Sequence, residues 1–200
     1  MPSKRTIKIL PVLAALAAAG CQILPPRDVF VLHLTLHHPD NPHALFMEGK
    51  GYLAQGETNK AAVRFREALR LQPDFEEARL GLAHAYRERG YYTRAHLLYR
   101  EVLRNSPRNV QALEGQAICE ARLGQPDKAI AVLKSALEME NPRLPSTLNT
   151  LADVYYGRRQ YAEALRYWEE SLQLDSAQSQ LRQVVEDLRG YVRKYSSRSP

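Results

Sequence analysis

The chain is poor in the residues from which reactive centres are built. Its 200 residues hold two cysteines, Cys21 and Cys119, with no paired-cysteine metal spacing. No glycine-rich phosphate loop, HExxH or GxSxG occurs, so no catalytic constellation stands out and no cofactor is implied. Glu and Asp are plentiful, but on amphipathic helices such charges usually form a solvated face. The apolar stretch at residues 9–19 is short for a spanning helix, and Pro11 interrupts it. Charge is nearly balanced: 28 basic against 22 acidic residues give +6, and removing residues 1–20 takes away Lys4, Arg5 and Lys8 and no acid, leaving +3. That excess is too mild to argue for a nucleic-acid partner. A charged fraction of 25% beside 44% hydrophobic residues is that of one folded module.

What the chain does have is a 34-residue period. Gly56, Gly90 and Gly124 follow it, as do Ala61, Ala95 and Ala129, with Ala164 one residue late. Gly49, Ala83, Ala117 and Ala152 recur in step, as do Tyr52, Tyr86 and Tyr155, and Phe65, Tyr99, Leu133 and Trp168. Such a period predicts stacked helical hairpins. Small residues let the two helices of each unit approach, and the bulky ones fill the remaining space. The glycines supply the positive φ that ends the first helix, and Pro73 and Pro107 mark exits from the second.

The pattern resembles the tetratricopeptide repeat family over four units, 42–75, 76–109, 110–144 and 145–176. The resemblance implies an all-α, right-handed α-solenoid of four hairpins. Local departures are Glu120 in place of a tyrosine, Arg79 in place of a leucine, a fourth unit ending at Ser176 without proline, and an inserted residue near 141–145. Residues 177–195 carry Leu181, Val184, Val185, Leu188, Tyr191 and Val192 on a helical stripe and are expected to cap the last hairpin. The tail at 196–200 is expected to be disordered.

The N-terminus resembles a bacterial lipoprotein signal. Lys4, Arg5 and Lys8 precede the apolar stretch, which closes as Ala17, Ala18, Ala19, Gly20, Cys21. The lipobox resemblance implies removal of residues 1–20, lipid on Cys21 and a stable membrane anchor, with Gln22 rather than aspartate pointing to an outer-membrane protein facing the periplasm. The alternatives are inner-membrane residence or secretion. With Cys21 lipidated, Cys119 stands alone and reads as a small buried hydrophobe.

In the tether at 21–41, Phe30, Leu32, Leu34 and Leu36 alternate with Val29, Val31, His33, Thr35 and His37, a strand-like period. The segment could pack on the first hairpin as a tether, pair with a second copy of the chain, or receive a partner's strand. His33, His37, His38 and His43 invite a metal reading, but on a strand His33 and His37 stand about 13 Å apart, and Pro39 and Pro42 interrupt a helix. Asn41 before Pro42 predicts a helix cap.

In the tetratricopeptide family the first helices line a concave groove for a peptide. The resemblance places Lys50, Leu53, His84, Arg87, Ile118, Arg122, Asn149, Asp153 and Tyr156 there. Cationic and apolar groups together suit a peptide with acidic and aromatic or aliphatic side chains. The Lys and Asn pattern that clamps a C-terminal carboxylate in some family members is not reproduced. The expected function is that of a membrane-anchored adaptor with a protein or peptide partner in a cell-envelope assembly such as a pilus, secretion or cell-wall machine. The other expectations are a self-assembling structural lipoprotein or an accessory subunit of a cell-wall enzyme.

Overall fold

A computed structural model describes residues 41–139 and 144–196. The lipobox with Cys21, the strand-like segment at 29–36, His33, His37, His38, residues 141–143 of the stretch at 141–145 that carries the inserted residue, and residues 197–200 of the tail lie outside the described residues. Among those described, every regular element is a helix: α1 (Pro42–Ala54), α2 (Thr58–Leu71), α3 (Glu76–Glu88), α4 (Tyr92–Asn105), α5 (Val110–Arg122), α6 (Pro126–Met139), α7 (Pro145–Gly157), α8 (Tyr161–Leu174) and α9 (Ser179–Ser196).

Local chemistry sets the helix ends. Asn41 caps α1, its side-chain oxygen accepting from the backbone N–H of His43 at 2.9 Å, and Pro42 opens the first turn. Asn109 caps α5 in the same way through Ala112. The turns closing α1, α3 and α5 hold Gly56, Gly90 and Gly124 at φ of 72°, 76° and 79°, the left-handed region open to glycine. At the corresponding turn after α7 the chain places Arg159 at φ 60°. A left-handed side-chain-bearing residue costs about 1–2 kcal/mol, against about 0.5–1 kcal/mol of extra chain entropy for glycine. Arg159→Gly is therefore expected to raise the melting temperature by a few degrees in a thermal scan.

Consecutive helices pack as antiparallel neighbours, and the first helices of successive hairpins also touch: α1 meets α3, α3 meets α5, and α5 meets α7. Among the described residues no second helix meets the next second helix. The first helices thus line the tighter, concave side of an α-solenoid. Phe65, Tyr99, Leu133 and Trp168 are all buried on the second helices. Phe65 reaches two ways. A Cβ on Gly49, within the same hairpin, would lie 2.6 Å from the Phe65 ring, and so would one on Gly81 of the next. A Cβ on Gly115 would run into Tyr99 closer still. Gly81 and Gly115 therefore let each aromatic key into the following hairpin.

Polar ties repeat along the stack. Ser106 and Asn109 donate to the Glu76 carboxylate at 2.8 and 3.2 Å, and the Thr147 hydroxyl donates to Glu114 at 2.8 Å. Arg79 stands where a leucine is expected. Its guanidinium donates to the Pro73 carbonyl and lies 3.4 Å from Glu101, so a charged tip is satisfied while the stem fills the leucine's place. Glu120 replaces a tyrosine and is buried, accepting from Gln116 at 2.8 Å and lying 3.3 Å from His96 Nε2. Helix α9 packs on α8 through Val185 and Leu188, with Leu181 and Val192 beside them, and closes the C-terminal face.

Candidate partner-binding groove

The concave face carries a row of side chains from α1, α3, α5 and α7, but these are not equally displayed. Lys50 is exposed on α1 with its ammonium 5.7 Å from the Phe46 ring centroid, and Leu53 beside it is half-buried. On α3, His84 keeps 45% of its side chain open to solvent and lies 3.4 Å from Glu88. The surrounding protein mass nonetheless pushes its pKa below the ordinary value, with Arg87 adding to the effect. His84 thus stands on an open concave surface, reached by solvent on one side and ringed by protein on the others. Asp153 on α7 behaves alike. It is exposed by area, yet desolvation raises its carboxyl above the usual range, opposed by a hydrogen bond from the Trp168 indole and by Arg122.

Arg87 is less available than its position suggests. Only 20% of its side chain is exposed, it donates to Glu88 at 2.9 Å, and its charge acts on the buried Tyr99 and Cys119. Asn149 is similarly committed, donating to Gln178 at 2.7 Å and so tying α7 to the approach of α9. Ile118 is half-buried, Arg122 is exposed, and Tyr156 is 48% exposed. The displayed set is therefore Lys50, Leu53, His84, Ile118, Arg122, Asp153 and Tyr156. Cations stand on α1 and α5, each beside an apolar side chain, and α7 adds one acid and an exposed tyrosine.

Sequence reasoning passed over an aromatic line at that end. Tyr156 stands 5.6 Å from both Trp168 and Tyr161, and Tyr161 meets Tyr191 of α9 edge-on at 5.8 Å. Its signal was legible only in part, since Tyr161 and Tyr191 fall outside the repeat positions that periodicity highlights. His43, the one described member of the histidine cluster, meets the Phe75 ring at a tilt, with centroids 4.6 Å apart. No group of metal-ligating side chains is found among the described residues, and none of their helices is long and apolar enough to cross a membrane.

Cys119 is fully buried, and burial pushes its thiol up to about 11 despite the nearby Arg87. A thiol needs its anionic form to react. Native protein at pH 8 is therefore expected to leave Cys119 unmodified by iodoacetamide, as read by intact mass, with labelling appearing only on denaturation.

Stacked hairpins with a concave face built from their first helices define a repeat scaffold that works by binding. Three tetratricopeptide repeat family models match the chain, at residues 49–90, 80–143 and 145–177. The chain belongs to the tetratricopeptide repeat family. It is 27% identical to the DnaJ homolog subfamily C member 7 homolog of Schizosaccharomyces pombe, over 78% of this chain and 36% of that protein. It thus spans about a third of that curated relative. Among solved structures, a thermophilic tetratricopeptide protein of Thermus thermophilus shares the fold at TM-score 0.68 and 24% identity, covering 90% of this chain and 96% of that one. PilF of Pseudomonas aeruginosa aligns at TM-score 0.65 and 26% identity, over 78% of this chain and 70% of its own. MamA of Desulfovibrio magneticus aligns at TM-score 0.62 and 17% identity, over 78% and 88%.

Proposed function

We propose that the protein is a membrane-anchored adaptor. Lipid on Cys21 holds it in a bacterial envelope membrane, and its groove holds an extended segment of a protein partner while a cell-envelope complex assembles. The observation that carries the binding half is the displayed row Lys50, Leu53, His84, Ile118, Arg122, Asp153 and Tyr156 on the concave face, where two cations against one acid stand beside apolar groups. Such a surface suits a peptide bearing acidic and apolar side chains, since charge complementarity selects the partner while apolar contact supplies affinity. The anchoring half is supported by residues 4–21, whose order of basic, apolar and small residues before a cysteine is that of a lipoprotein signal.

Two measurements test the halves separately. Cys21→Ser is expected to shift the protein from the membrane to the soluble fraction and to end acyl-label incorporation; equal labelling of variant and parent defeats the anchor. For the groove, a photo-crosslinking residue at Ile118 is expected to trap a partner in intact cells. Lys50→Glu with Arg122→Glu is expected to reduce that product at least about tenfold. Both side chains are exposed, so the melting curve should move by no more than about 0.5 kcal/mol. Undiminished crosslinking places recognition elsewhere.

A further inference from the structure

The strained turn after α7 borders a cleft that the repeat pattern does not predict. Arg159 holds φ 60° where the three earlier units use glycine. Strain of this kind persists only where the surrounding structure holds it, and it clusters at functional sites. The guanidinium of the neighbouring Arg158 is taken up by Asp127. That of Arg159 forms no ion pair or hydrogen bond with a described residue and lines a cleft of about 450 Å³, together with Gln160, Tyr161, Glu163, Tyr191 and Val192. The side-chain oxygen of Gln160 is buried and accepts no hydrogen bond. Tyr191 is 49% exposed at the mouth. Glu163 lies in the first turn of α8, where the helix's own N–H groups favour a negative charge. That compensation leaves the Arg159 cation available to a ligand.

A line of rings links the cleft to the last displayed groove side chain. From Tyr156, the last displayed groove side chain, ring contacts run to Tyr161 at 5.6 Å and on to Tyr191 at 5.8 Å. An unpaired guanidinium therefore stands beside exposed aromatic surface. One short peptide element answers both.

We propose that this cleft is an anchor subsite for the partner segment held in the groove, taking an acidic side chain followed by an aromatic one within the partner's chain. The carboxylate pairs with Arg159, and the ring packs on Tyr161 and Tyr191. The inference rests on the groove reading above and adds the chemistry of one end of its ligand. Arg159 contributes here through its charge, at a cost in backbone strain that glycine in the other units avoids.

The test is a backbone-amide NMR titration of the full-length protein with the dipeptide Ac-Asp-Phe-NH2 and its uncharged isostere Ac-Asn-Phe-NH2. Shifts are expected at residues 156–163 and 188–192, with the Asp peptide binding at least tenfold more tightly. Arg159→Gly is expected to weaken binding of the Asp peptide about tenfold although it melts higher than the parent, and Tyr191→Ala to weaken both peptides alike. A gain in stability without loss of affinity in Arg159→Gly overturns the proposal, as do shifts confined to other surfaces or none at millimolar peptide. Equal or tighter binding of a third peptide, Ac-Asn-Phe-OH, whose only carboxylate is its chain end, also overturns it, since the cleft would then select a chain end. Because the crosslink from Ile118 reports on the groove alone, its loss in Lys50→Glu/Arg122→Glu alongside an inert cleft sinks only the subsite. Intact crosslinking with a responsive cleft sinks only the groove.

Discussion

Replacing Trp168 by alanine is expected to destabilise the protein by about 3–5 kcal/mol, the range for emptying a packed aromatic site. The ring is 4% exposed, packs among the residues that join α6, α7, α8 and α9, and stands 5.6 Å from Tyr156. Its indole also donates to Asp153, so truncation removes a partner from a carboxylate that desolvation already disfavours. The expected fall in melting temperature is about 6–20 °C by circular dichroism. In a solenoid each unit leans only on its neighbours. Amide exchange should therefore quicken first in α7, α8 and α9, with α1 and α2 following later. Leu97→Ala, at an exposed site, serves as the control. A Trp168 variant no worse than that control would mean the ring is not a packed element of the fourth hairpin.

Trp168 was legible as a core residue because it falls in step with Phe65, Tyr99 and Leu133. Periodicity reports which positions are equivalent, and equivalence was enough for the helices, their small-residue crossings and the glycine turns. It does not report which unit a side chain faces. The smallness of Gly49, Ala83, Ala117 and Ala152 was read as a requirement within each hairpin, whereas Gly81 and Gly115 answer to the aromatic of the preceding one. That contact is set by the stacking of units, a long-range fact. The site shows the same limit. Position placed Arg87 and Asn149 in the groove, but the structure turns the first toward Glu88 and ties the second to Gln178. Neither partner is marked by the period. Arg159 could have been found from sequence, since it stands where a fourth glycine is due, one residue late like Ala164.

The junction between the second and third hairpins gives the second large effect, and it tests this account of stacking. A side chain at Gly115 would run into the ring of Tyr99, which is buried and has no room to swing clear. Gly115→Thr is expected to cost about 3 kcal/mol from overpacking. The gain in helix propensity over glycine, below about 1 kcal/mol, does not offset it. The junction between the third and fourth hairpins shows what relieves the conflict. There Leu133 stands in the place of Tyr99, and Thr150 in that of Gly115 once the inserted residue is allowed for. Transplanting that pair, Tyr99→Leu with Gly115→Thr, should therefore be less damaging than the two single changes together. Tyr99→Leu alone opens a cavity, Gly115→Thr alone overfills the contact, and in the double variant the added side chain enters the vacated space. A double-mutant cycle from urea melts is expected to give a favourable coupling of at least about 1 kcal/mol. Strict additivity would show that the ring and the glycine do not share one volume, and that the close approach of α4 and α5 has another cause.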